Sequence, residues 1–254
     1  MVERFFCRLR ACLALALLTA FAVFGALAPA KAGDAATLNV LGFSSDGAIF
    51  AFEEYGVQDG SGFPYANRYY IDTATDTFLP GSPIRKRIDD ETASVAEARA
   101  QARAVGETTI SDALLAANGG VLAGFNPITE IGADPFRMVV NPRPVNPPID
   151  APLEVRLTEL SFLAEPPCDG VTDASIGFRL VKIDPTPGGS TELLNEDESV
   201  PSSRGCPLGY AIGGIQTFYP DKADPVFAVL IAIRSFGFEG PDFRWMAVTA
   251  PMMP

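Results

Sequence analysis

The stretch VFAVLIAIRSF, residues 226–236, contains no polar side chain before Arg234. A strand with one wet face alternates apolar and polar residues, whereas this run offers apolar side chains to both sides. We therefore expect a central strand covered on both faces. Working outward, LEVRLTELSFL (153–163) sets Leu153, Val155 and Leu157 against Glu154, Arg156 and Thr158, the alternation of a strand with one wet face. TLNVLGF (37–43), AIFAFEEY (48–55), RYYID (68–72), IGFRLVKID (176–184) and FRWMAVTA (243–250) are short runs rich in β-branched and aromatic residues. Together they predict a mainly β, antiparallel fold, either sandwich-like or an incomplete propeller, with a small helical insertion.

The insertion is expected at residues 89–120. DDETASVAEARAQARAVG (89–106) has acids in its first turn and Gly106 at its end, with a narrow apolar stripe of Val95, Ala98, Ala102 and Val105. SDALLAANGG (111–120) follows, with Ser111 as N-cap and Gly119 past the end. Residues 126–152 then hold seven prolines, which removes backbone donors and predicts an extended crossing with a short edge strand at 137–141. A weak internal repeat aligns IFAFEEYGVQ (49–58) with LIAIRSFGFE (230–239), each followed by a loop and a second strand.

At the N-terminus, Arg4, Arg8 and Arg10 precede an uncharged apolar run over residues 11–28. Ala30, Lys31 and Ala32 then give a small-x-small pattern, so residues 1–32 read as a signal peptide cut after Ala32. The rival is an uncleaved anchor, because the run approaches the ~20 residues that span a bilayer. Overlapping small-x-small triplets favour cleavage, leaving residues 33–254 as one periplasmic or secreted domain with no stable membrane insertion. Cleavage removes Cys7 and Cys12, and the remaining Cys168 and Cys206 in an exported chain predict one disulfide. The whole chain has a net charge of −12, which disfavours nucleic acid and anionic lipid as partners.

The chain has no histidine, which excludes a Ser-His-Asp or Cys-His mechanism and His-ligated zinc. No phosphate-binding loop or dinucleotide fingerprint occurs, and no cofactor or metal site is expected. Carboxylates remain. Glu53, Glu54 and Asp59 lie near one hairpin loop, and Glu239 and Asp242 occupy the matching loop near the C-terminus. A carboxylate pair of this kind suits glycan hydrolysis or, with more oxygen ligands, a Ca²⁺ site, although neither motif is present. Glu53 and Glu54 should point to opposite faces of one strand. The connection at residues 56–67 is long for a hairpin and is glycine-rich with aromatic residues behind it, a composition suited to recognition. The binding residues predicted on the two loops are Asp59, Phe63, Tyr65, Asn67, Phe238, Glu239 and Asp242. The expected role is a non-catalytic interaction module whose partner is an envelope protein or a glycan.

FSSDGAIFAF (43–52), continued by YYIDTATDTF (69–78), resembles the short propeller-blade motif of TolB-like periplasmic proteins. There Ser-x-Asp-Gly makes a tight turn before a strand, with Gly47 free to take positive φ. FAFEEYGVQDGSGFPYAN (50–67), CPLGY (206–210) and SFGFEGPDFRWMAVT (235–249) together resemble a bacterial family of predicted secreted proteins of unknown function. That resemblance implies export and brings with it no activity, cofactor or catalytic residue.

Overall fold

A computed structural model of the chain describes residues 33–252 apart from Pro187. The expected signal peptide lies outside the described residues. In chain order, β1 (Thr37–Phe43), β2 (Ile49–Val57), β3 (Pro64–Asp72), β4 (Thr77–Phe78) and β5 (Ile84–Arg87) form the first sheet, with β5 also paired to β3. Two helices follow, α1 (Val95–Gly106) and α2 (Asp112–Ala117), and then β6 (Val121–Phe125). β7 (Arg137–Val140), β8 (Leu153–Leu163), β9 (Ala174–Ile183) and β10 (Thr191–Glu196) make an outer sheet in the order β10-β9-β8-β7. β11 (Pro207–Phe218), β12 (Val226–Ser235) and β13 (Asp242–Pro251) complete the central sheet, in the order β13-β12-β11-β6.

The central sheet exists because β12 has two apolar faces. Phe227, Val229, Ile231 and Ile233 pack against Val155, Leu157, Phe178 and Leu180 of the outer sheet. Ala228, Leu230 and Ala232 turn the other way and meet Phe43, Phe50 and Phe52 of the first sheet. Complete burial of one such Leu or Ile contributes about 2 kcal/mol, and both cores draw on the same strand. The sheets therefore stack face to face, which is the sandwich arrangement of the two anticipated. Every ladder among the described residues is antiparallel.

The helices cover the far face of the first sheet. α1 begins after Ser94, whose side chain and Glu97 form a capping box, so its start falls several residues later than the acidic run suggested. Ala98 and Ala102 are buried there, whereas Val105 is exposed, so the apolar stripe is narrower than expected. At Gly106 a Cβ would collide with the Tyr70 hydroxyl, so glycine permits the close approach. Ser111 caps α2 by accepting from the Leu114 amide at 3.3 Å, as anticipated, and Asn118 closes it. An ion network fastens this layer. Arg68, 1% exposed, lies 3.4 Å from Glu53 and 2.8 Å from Asp112, and Arg99 also pairs with Glu53.

In β8 the expected alternation holds for Val155, Arg156, Leu157 and Thr158, but Glu154 is buried. Arg137 and Arg156 donate to its carboxylate at 2.9 and 2.7 Å, and their side chains cover it. β7 is the edge strand anticipated within the proline-rich segment. The Cys168–Cys206 disulfide forms with Cα atoms 5.5 Å apart, tying the loop after β8 to the start of β11.

Candidate functional site

The two loops singled out in the sequence meet. The β2–β3 connection is confined to residues 58–63, because Gly56 pairs with Tyr65 and Val57 with Pro64 in the ladder. It is therefore shorter than the sequence suggested. The Asp59 Oδ2 accepts the Glu239 amide at 2.7 Å, which pins this loop to the β12–β13 connection. Gly60 has a φ of 77°, and Phe238 lies so close that a Cβ there would stand 3.1 Å from its ring. Phe238 is nonetheless 83% exposed. Phe63 sits behind the loop with the Arg87 guanidinium 5.8 Å from its ring centre.

Three of the predicted residues make contacts within the fold. Tyr65 is buried below the rim, where its hydroxyl donates to Asp34 at 3.1 Å and Arg244 stacks 4.8 Å from its ring. Burial and the neighbouring carboxylates hold its hydroxyl well above the ordinary tyrosine range. Asp242 Oδ1 accepts the Asp34 amide at 2.8 Å and so fixes the first described residues. Asp34 itself pairs with Arg244 at 2.7 Å, yet burial outweighs that cation and raises its carboxyl. Asn67 donates to Glu54 at 2.9 Å.

Glu53 and Glu54 lie on opposite faces of β2, as expected. Glu53 faces the helices within the Arg68–Arg99 network, while Glu54 faces the central sheet and accepts from the Trp245 amide and the Tyr69 hydroxyl, both at 2.7 Å. Glu53 thus cannot converge with Asp59, Glu239 and Asp242 on one surface. Among the described residues, no group of three or more His, Cys, Asp or Glu is placed to hold a metal ion.

A cleft that the sequence did not suggest lies along β13, the last strand of the central sheet. Its volume is about 480 Å³. Tyr69, Ile71, Phe78 and Arg85 line one wall, Asn195 and Arg204 the other, and residues 244–248 the floor. Asp76 closes one end. Its Oδ1 accepts from the Thr249 amide at 2.7 Å and from the Thr249 hydroxyl at 2.9 Å. Burial raises the Asp76 carboxyl to about 6, against the lowering effect of those two donors. Glu54, one of the carboxylates singled out in the sequence, also lines this cleft, and Asp76 is the acceptor that sequence reasoning missed.

A family model described as "Predicted secreted protein (DUF2259)" matches residues 51–250. No curated protein matches. No solved structure matches.

Proposed function

The chain belongs to that family of predicted secreted proteins, DUF2259, and from this premise we propose that it is a non-catalytic binding module of the bacterial periplasm. Residues 33–254 act as one exported β-domain, released by cleavage after Ala32. The joined rim at residues 58–63 and 236–241 engages an envelope protein or glycan. Supporting cleavage at that point, the segment just beyond it is already part of the fold: the Asp34 amide bonds Asp242, and the Ala36 amide bonds the Phe243 carbonyl at 3.0 Å. No helix among the described residues is long and apolar enough to cross a membrane.

The observation that carries the rim is the Asp59–Glu239 hydrogen bond beneath an 83% exposed Phe238. A large aromatic held out to solvent on a pinned loop is an anchor whose ordering cost is met before binding. The test is capture from envelope extract by wild type, Phe238→Ala and Asp59→Asn proteins of matched circular dichroism. Partners held by wild type should be lost from Phe238→Ala and weakened for Asp59→Asn. Identical partners for all three proteins remove the rim from consideration.

A further inference from the structure

An edge strand exposes a row of unpaired N–H and C=O groups, and folded chains cover or break such rows. β13 is covered in three places. The Phe243 amide bonds the Asp34 carbonyl at 2.8 Å, and the Phe243 carbonyl accepts from Ala36, so the chain's own residues 34–36 already add to this edge as a short parallel bridge. Glu54 takes the Trp245 amide and Asp76 takes the Thr249 amide, both at 2.7 Å. Because β13 pairs with β12 without a register break, residues 243, 245, 247 and 249 present their N–H groups to the same open side. Among the described residues, Ala247 has no partner there.

That gap lies on the cleft floor. The two carboxylate-capped amides are four residues apart, so at ~3.3 Å per residue the open length is ~13 Å, enough for about three residues of added strand. The walls select as well. Tyr69, Ile71 and Phe78 give one apolar side, and Arg85 stands at its margin. Arg85, Lys86 and Arg87 are consecutive on β5 and, with Arg244, line a shallower basic pocket that shares Arg85, Asn67 and Arg244 with the cleft. Arg87 is paired with Asp89 and Arg244 with Asp34, while Arg85, which shares the cleft face with Asn67, has no ion pair among the described residues; Lys86, opposite Ala66, faces the helix side of the sheet. This basic strip occurs on a chain of net charge −12.

We propose that the β13 edge between Glu54 and Asp76 binds an extended acidic peptide segment of a partner protein, which adds as a strand to Ala247 and sets an acidic side chain against Arg85. The occupant follows from the chemistry. Backbone donors and acceptors at strand spacing match another extended backbone, and an unpaired cation on an acidic chain matches a carboxylate. The proposal shares with the rim the premise of a binding module but uses a different surface.

The Trp245 indole is 4% exposed and turned inward onto Phe125, so occupancy is read as the heat of titration in calorimetry. The probe is an acetylated, amidated pentapeptide of alternating Val and Glu, compared with its Lys counterpart and with a version N-methylated on the backbone. The acidic peptide should give a saturable heat and slow amide exchange at Ala247, with the other two at least tenfold weaker. Ala247→Pro removes the open N–H without touching the β12 ladder, because proline is tolerated where the N–H faces away, and should weaken binding at least tenfold. Arg85→Glu, an exposed substitution, should favour the Lys peptide instead. Phe238→Ala should bind the peptide as wild type does, which separates the cleft from the rim. No titration at millimolar acidic peptide, or equal binding of the N-methylated peptide, overturns the proposal. So does indifference to Arg85→Glu, loss of peptide binding in Phe238→Ala, or a wild-type dimer that Ala247→Pro turns into a monomer. The last result would make the occupant a second copy of this chain.

Discussion

Asp76→Asn tests whether the end of the cleft is built around a carboxyl that resists ionisation. Burial holds the Asp76 carboxyl at about 6 in the folded protein, against an ordinary value of 3.8. Each pKa step of one is worth about 1.4 kcal/mol, so ionising Asp76 in place costs about 3 kcal/mol more than ionising it in the unfolded chain. Between about pH 4 and pH 6 the folded state holds the proton more tightly, so it binds more protons than the unfolded state. Stability therefore falls as pH rises through that window and the loss is complete above it.

Asparagine keeps the oxygen that accepts from the Thr249 amide and hydroxyl. It also suits the left-handed backbone at this position, where φ is 52°. The substitution therefore removes the titration while retaining the acceptor. The assay is urea denaturation of both proteins, followed by Trp245 fluorescence, at several pH values from about 4 to about 7.5. The stability of Asp76→Asn minus that of wild type should rise by about 3 kcal/mol across this range, with most of the rise before pH 6. Taking the difference cancels the other carboxylates that titrate in the same window. A difference that stays flat with pH refutes the buried-carboxyl account.

Replacing both Cys168 and Cys206 by Ser opens a loop with ends 38 positions apart and should cost about 2–4 kcal/mol. Denaturation of wild type with reductant should reproduce that loss, and the double variant should ignore the reductant. Arg68→Ala leaves Glu53, 3% exposed, without one of its two guanidinium partners and Asp112 without its 2.8 Å bond. It should destabilise by about 3–5 kcal/mol in the same assay, more than Arg87→Ala, whose pair with Asp89 is at the surface.

What the sequence disclosed depended on how local each cause was. The two-faced burial of β12 is written in seven consecutive apolar residues, 227–233, and the Ser111 cap acts within its own helix turn, whereas the acids at 89–91 drew the expected start of α1 away from its true cap, Ser94. The disulfide followed from cysteine count and export. The rim was half legible. Glycine and aspartate marked both loops, but Gly56, Tyr65 and Asn67 looked like loop residues and are strand residues. Pro64 begins β3, a position where its missing N–H does no harm. The cleft could not be seen in advance because its ends are made by contacts across the whole chain. Glu54 reaches Trp245 over 191 positions and Asp76 reaches Thr249 over 173.

Neighbouring glutamates in β2 show how the same residues look catalytic in sequence and act structurally in the fold. Glu53 is 3% exposed and Glu54 is 2% exposed. Burying a carboxylate is costly unless donors replace its water. Glu53 accepts from Asn39 and Arg99 and lies 3.4 Å from the Arg68 cation, and Glu54 accepts from Asn67, Tyr69 and the Trp245 amide. An acid/base carboxylate must be free to exchange a proton with a substrate, and the donors named here already hold both glutamates, Glu54 included although it lines the cleft. What they do is bind the layers together. Glu53 joins the first sheet to the helices, and Glu54 joins it to the central sheet. A one-residue slip of β2 would turn Phe50 and Phe52 out of the core they share with Leu230. It would also carry each glutamate away from its donors, so the pair and the aromatic residues enforce the same register.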